Sequence, residues 1–299
     1  MMVGHYEGAV HHPPLAAGSS LAPGYEIVEH LHQSKNFDVY YVFSEERACR
    51  CIAKAPRQDL LGSAKVCRGL LREGRLLKKL THPHIVRLYE IVKEPHPALI
   101  LETLTGETLS HIIDTGYRRL PLLSVVHLGL HLCSAVPYLH AHGILHLDLK
   151  PSNIVSEHGL AKILDLSIAR PPGRSRKGAG TRQYMAPEQV RGELVGPATD
   201  VWGIGATLYE AATDVTPFNA EYETGSGSDQ EDGSDIGSPT GTGTDLDAYE
   251  QVLRRAEPVR AHRRLPAAFA RAVDACLEPD PARRPTLKEL TDTLDGFTR

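Results

Sequence analysis

A chain of 299 residues, 41% hydrophobic and 23% charged, has the composition of a globular protein long enough for one large domain or two lobes. Its 33 Lys and Arg against 37 Asp and Glu leave a net charge of −4, which gives no electrostatic reason to expect nucleic acid or an anionic membrane as the main partner. The longest apolar segments are interrupted by His, Gly or charge, no signal peptide is visible, and five scattered cysteines are too few for a disulfide framework, so a reduced, cytoplasmic protein is expected.

Residues 1–24, with Gly4, Pro13, Pro14, Gly18, Ser19, Ser20 and Pro23, show no apolar period and read as a disordered tail. Alternation begins at Tyr25: Ile27, Glu29 and Leu31 share one side of a strand, Val39 to Phe43 is a β-rich run, and Cys49 to Lys54 reads as a third strand. A helix is expected over 64–80, where Leu70, Leu71, Leu76, Leu77 and Leu80 fall near one face. Runs at Ile85–Ile91 and Ala98–Leu101 complete an expected five-stranded antiparallel sheet with one helix. Beyond Gly106 the pattern turns helical: Leu122–His140, Thr199–Ala212, Leu246–Arg255, Pro266–Leu277 and Thr286–Leu294. Between Asn219 and Asp245 lie Gly, Ser, Thr and acids without Lys or Arg, which reads as a disordered acidic loop. The expected class is α+β: a β-rich lobe over 25–102, a connection at 103–106, and an α-rich lobe over 107–299 holding the acidic insert at about 220–246.

The most specific run is His146-Leu147-Asp148-Leu149-Lys150-Pro151-Ser152-Asn153, followed twelve residues later by Asp165-Leu166-Ser167. Lys54 ends the third strand, and Glu73 lies nineteen residues on, inside the expected helix. Gly180 to Glu188 reads GTRQYMAPE, and Asp200-Val201-Trp202-Gly203 and Arg283-Arg284-Pro285 follow in order. This ordered set resembles the eukaryotic-type (Hanks-type) bacterial serine/threonine protein kinases over about residues 25–296, and the resemblance implies a bilobal fold that transfers the γ-phosphate of ATP to protein Ser or Thr hydroxyls with Mg²⁺. Taken singly, Lys54 and Glu73 are ordinary solvated charges; their spacing from the 146–153 run is what gives them meaning.

Phosphoryl transfer requires charge to be neutralised and held in line. The resemblance implies that Lys54 contacts the α- and β-phosphates and that Glu73 steadies its ammonium. Asp165 and Asn153 are the implied metal ligands, hard oxygen donors suited to Mg²⁺. Asp148 orients the substrate hydroxyl and takes its proton, and Lys150 steadies the transferring phosphoryl oxygens. Lys150 and the Gly180-Thr181 pair accompany serine/threonine specificity. For the adenine, Val39 and Ala53 are the expected roof and Val155 the floor, with Leu101 as gatekeeper and Glu102 and Leu104 offering backbone groups. Glu188 and Arg284 are expected to form a buried structural ion pair.

Three departures stand out. His32, Ser34 and Phe37 occupy the positions of the loop glycines, whose lack of Cβ lets amides approach phosphate. Weaker nucleotide binding is expected, with amide donors remaining at each position and Phe37 either holding the loop away from the γ-phosphate or closing over it as an apolar lid. Leu147 replaces the arginine that precedes the catalytic Asp, so activity independent of phosphorylation between Asp165 and Glu188 is expected. Ser167 replaces the glycine after Asp165-Leu166. The alternative reading is a pseudokinase acting as scaffold or nucleotide sensor. A small-molecule phosphotransferase fits less well, since it lacks the Met185–Glu188 segment. The acidic insert is a candidate for autophosphorylation or for contact with Arg254, Arg255, Arg260, Arg263 and Arg264.

Overall fold

The computed structural model describes residues 13–115, 119–218 and 249–299. The expected acidic loop, and residues 1–12 of the expected tail, lie outside them. The chain divides into two compact units, Met1–Lys78 with Leu88–Thr103, and Lys79–Arg87 with Leu104–Arg299.

The smaller unit is an antiparallel sheet of β1 (Ser20–Ala22), β2 (Tyr25–Gln33), β3 (Phe37–Ser44), β4 (Cys49–Pro56), β5 (Leu88–Val92) and β6 (Ala98–Leu101), in the order β1-β2-β3-β4-β6-β5. The helix α1 (Ala64–Leu77) joins β4 to β5. In β3 the even positions Asp38, Tyr40, Val42 and Ser44 are buried, and the register sets Tyr40 opposite Ala53 and Val42 opposite Cys51. Side chains alternate across a strand, so these residues share one face and build a core with Tyr25, Ile27 and Ile100. Val39, Ile52, Lys54, Leu99 and Leu101 take the other face, paired as Val39 with Lys54, Lys54 with Leu99 and Ile52 with Leu101. Ser63 caps α1 by accepting from the Val66 amide. Gly74 lets the helix approach the sheet: a Cβ there would stand 2.5 Å from Leu99 Cδ2.

The smaller unit departs from the sequence expectation in two places. Part of the presumed tail is ordered: Ser20–Ala22 add a sixth strand, Leu21 and Ala22 are buried, and the Leu15 amide donates to Tyr40 Oη at 3.1 Å. The segment covers the apolar face of Tyr25, Ile27, Tyr40 and Val42, a face that exists only once the strands have paired. The strand expected at 85–91 begins at Leu88, because Ile85 and Val86 instead bridge to Ile163 in the larger unit, the Val86 amide donating to the Ile163 carbonyl at 2.9 Å.

The larger unit runs β7 (Glu107–Thr108), α2 (Leu109–Thr115), α3 (Leu122–Ala141), β8 (Ile154–Glu157), β9 (Leu160–Ile163), β10 (Gly173–Arg174), α4 (Pro187–Arg191), β11 (Leu194–Val195), α5 (Pro197–Thr213), α6 (Glu250–Leu253), α7 (Ala267–Cys276) and α8 (Leu287–Asp295). Strands β7, β8 and β9 form a small sheet, and β10 pairs with β11. Helix α3 is the one described helix whose length and apolarity would suffice to cross a membrane; here it packs against α5 and α8 as a core helix. Gly205 lets α5 meet α7 closely, since a Cβ would lie 2.4 Å from Cys276 Cβ. Trp202 is fully buried and stacks on Phe218.

Candidate active site

In the smaller unit Lys54 projects from β4 and Glu73 from α1. The Nζ donates to both Glu73 oxygens at 3.0 Å, with Glu73 buried and Lys54 12% exposed along its side chain. A carboxylate so deep in the unit is tolerable only because the ammonium offsets its desolvation. Val39 and Leu101 lie on the Lys54 face of the sheet; Glu102 follows the end of β6. Ala53 does not share that face. It is fully buried in the core beneath β1, and Ile52 stands beside Val39 and Lys54 instead. Alternation from Lys54 explains this: the residue two before it, not one, returns to the same side.

The hairpin between β2 and β3 also differs from expectation. The Ser34 amide donates to the Phe37 carbonyl at 2.8 Å, and the Phe37 amide donates to Ser34 Oγ at 3.1 Å. Two of the amides expected to remain available to phosphate are therefore committed within the turn. Asp38 is buried, accepting from Gln33 Nε2 at 2.9 Å and paired with His30 Nε2 at 3.0 Å.

In the larger unit Asp200, on α5, organises the loop that carries Asp148. Its carboxylate accepts the amides of His146 and Leu147 at 2.9 and 2.8 Å, and His140 Nε2 lies 2.8 Å from it. Leu147 adopts φ 69°, a left-handed conformation uncommon for a branched side chain, and is buried beside Leu145 and Val195. Gln189 fixes the Leu147 carbonyl by donating from Nε2 at 2.8 Å, and it also donates to the Ala179 carbonyl. Burial holds the His146 imidazole below its ordinary range, against the pull of Asp200 and Asp148, so it stays neutral; its Nδ1 accepts the Asp148 amide.

Asp148 Oδ1 accepts the amide and the hydroxyl of Thr181 at 2.9 and 2.7 Å, and Oδ2 accepts Asn153 Nδ2 at 3.1 Å. Lys150 Nζ donates to Thr181 Oγ1 at 2.7 Å and lies 3.7 Å from Asp148 Oδ2. A carboxylate offers about four lone-pair directions, and three are taken, which leaves one on Oδ2 for a hydroxyl. Asn153 turns its amide nitrogen toward Asp148, leaving its oxygen as the ligand-forming end. Asp165 Oδ1 accepts the Ser167 amide at 2.6 Å, and the Leu164 amide donates to the Asn153 carbonyl. A carboxylate and an amide oxygen are a donor set suited to Mg²⁺. Val155 is buried in β8 and Leu104 is half-buried before β7. Thr181, Gln189 and Ile52 are the contributors that sequence reasoning did not place. The GTRQYMAPEQ run held the first two, but the contacts connect residues 33 and 42 apart.

The antiparallel sheet with its Lys54–Glu73 pair, and the Asp148 loop braced by an internal helix, each carry the marks of a protein kinase domain. Residues 25–294 match the protein kinase domain, and the chain belongs to that family. It is 34% identical over 178 residues to serine/threonine-protein kinase PknB of Mycolicibacterium smegmatis, covering 55% of this chain and 28% of that protein. It is 32% identical over 215 residues both to human myosin light chain kinase 3, covering 69% of this chain and 26% of that protein, and to the DNA damage-responsive serine/threonine-protein kinase RqkA of Deinococcus radiodurans, covering 69% and 32%. The chain spans about a quarter to a third of the length of these curated relatives.

Proposed function

We propose that this chain is a serine/threonine protein kinase that transfers the γ-phosphate of ATP to protein hydroxyls and to its own. The observation that carries this reading is the Asp148 carboxylate, held by Thr181 and Asn153 with one acceptor direction left and Lys150 beside it. Asp148 orients the Ser or Thr hydroxyl of a substrate and takes its proton as the oxygen bonds to phosphorus. Lys150 stabilises the negative charge gathering on the phosphoryl oxygens, while Thr181 keeps both side chains in register. Lys54, steadied by Glu73, serves the α- and β-phosphates. Asp165 and the Asn153 oxygen would hold Mg²⁺, which would supply charge neutralisation when bound. Val39, Ile52, Leu101 and the Glu102 backbone are the smaller unit's candidates for adenine contact, and Val155 and the Leu104 backbone are the larger unit's.

A scaffold role is less well supported, because each polar group that phosphoryl transfer needs is present and Asp148 is fully oriented. A reducing, cytoplasmic setting is part of the proposal, since five scattered cysteines are too few for a disulfide framework. Incubation with radiolabelled ATP, Mg²⁺ and a generic protein substrate tests the proposal. Label should enter substrate and enzyme, and Asp148→Asn should lower the rate at least about a hundredfold while leaving nucleotide binding intact. Asp165→Asn should weaken the metal-dependent part of nucleotide binding. Equal labelling with parent and Asp148→Asn would sink the enzymatic reading.

A further inference from the structure

Phe37 starts β3, and the alternation of that strand decides where its ring goes. Asp38 faces the buried side, tied to His30 and Gln33, so Phe37 and Val39 face the Lys54 side. Val39 stands directly opposite Lys54 in the register, which makes Phe37 the diagonal neighbour of the lysine, within reach of an aromatic side chain. The Phe37 ring lies under the Lys54 ammonium, with Nζ 5.0 Å from its centroid, while the same ammonium binds both oxygens of Glu73. With the Ser34 and Phe37 amides used inside the turn, the hairpin contributes fewer donors to a phosphate than a glycine loop does, and more of the neutralisation falls on Lys54.

We propose that Phe37 is a positioning residue for Lys54, its ring face sharing with Glu73 the task of holding the ammonium in place. Resting on the kinase reading, this assigns to an aromatic side chain a part of the phosphate-binding work that glycine amides leave undone here. A ring beneath a cation favours the charged form and limits the directions the flexible lysine stem can take.

The test is acetylation of Lys54 by acetic anhydride across a pH series, read by mass spectrometry on the nucleotide-free full chain with exposed Lys177 as internal reference. Phe37→Leu keeps an apolar side chain but removes the ring; it should move the midpoint of the Lys54 profile down by roughly half a pH unit, and Phe37→Tyr should restore it. A merely opened path to Lys54 would raise the plateau without moving the midpoint. In turnover assays Phe37→Leu should raise the KM for ATP about threefold with kcat little changed, again restored by Phe37→Tyr. An unmoved midpoint in Phe37→Leu would overturn the proposal. So would a lowered KM for ATP in both Phe37→Leu and Phe37→Gly, which would make the ring an obstruction. A shifted midpoint in a protein with no transfer activity would uphold the positioning role and count against the kinase reading instead.

Discussion

Glu188 and Arg284 form a bidentate pair at 2.7 and 2.8 Å, with Arg284 also donating to the carbonyls of Ala198, Glu278 and Pro279 and lying over the Trp202 ring. Thr199 Oγ1 donates to the same carboxylate at 2.9 Å. Every donor in this buried group has a use, so the pair tolerates its desolvation, but neither partner can stand alone. Glu188→Ala leaves the guanidinium buried without its counter-charge and should lower the free energy of unfolding by about 3–5 kcal/mol, read by denaturant titration. A loss below about 1 kcal/mol would mean that water reaches Arg284 in the variant. At this scale the pair was legible in sequence, because both residues sit in distinctive runs. The partner of Asp148 was not: Thr181 became one only when the chain brought position 181 back to position 148.

The segment from Asp165 to Val195 is held without the charged lock that an arginine before the catalytic aspartate supplies. Leu147 packs with Leu145, Val195 and Ile168, β10 pairs with β11, and Gln189 ties the Leu147 and Ala179 carbonyls. Apolar contact and backbone pairing need no phosphate to form. Turnover should therefore be the same within about twofold before and after phosphatase treatment; a large loss on dephosphorylation would show a phosphate-dependent lock. The other elements show where sequence patterns stop. Helix α1 and strands β2 to β4 announced themselves through alternation and helical spacing. The strand at Ser20–Ala22 did not, because three residues carry no period and their reason for ordering is the apolar sheet face they cover.

Across the larger unit, two half-buried titratable groups pull stability in opposite directions as the pH changes. His131, on α3, accepts the Ala161 amide at Nδ1, stacks on His84 and has His127 one turn away. Burial first, then His84 and His127, lowers it to about 4 from 6.5. The unfolded chain thus takes up this proton first, and stability falls as the pH drops from about 6.5 towards 4. Glu210, on α5, is raised to about 7 from 4.5, by burial first and then by Asp114 and Asp214, against the hydrogen bond from Tyr184. The folded chain binds that proton first, so its stabilising contribution is lost as the pH rises from 4.5 through 7. Denaturation midpoints between pH 4.5 and 8.5 should show His131→Gln flattening the acid limb and Glu210→Gln strengthening the protein above pH 7. Parallel profiles for all three proteins would refute both assignments.

The order of short motifs along the chain was enough to determine the family and the two-part α+β plan, because a protein kinase domain keeps particular side chains at nearly rigid spacings. Tertiary structure alone decided that Ile52 rather than Ala53 joins Val39 and Lys54, that the hairpin spends its amides on itself, and that the Phe37 ring sits at the ammonium. Those outcomes depend on which strand face meets which neighbour. That is a property of pairing register and burial, to which no single stretch of residues has access until the sheet has formed.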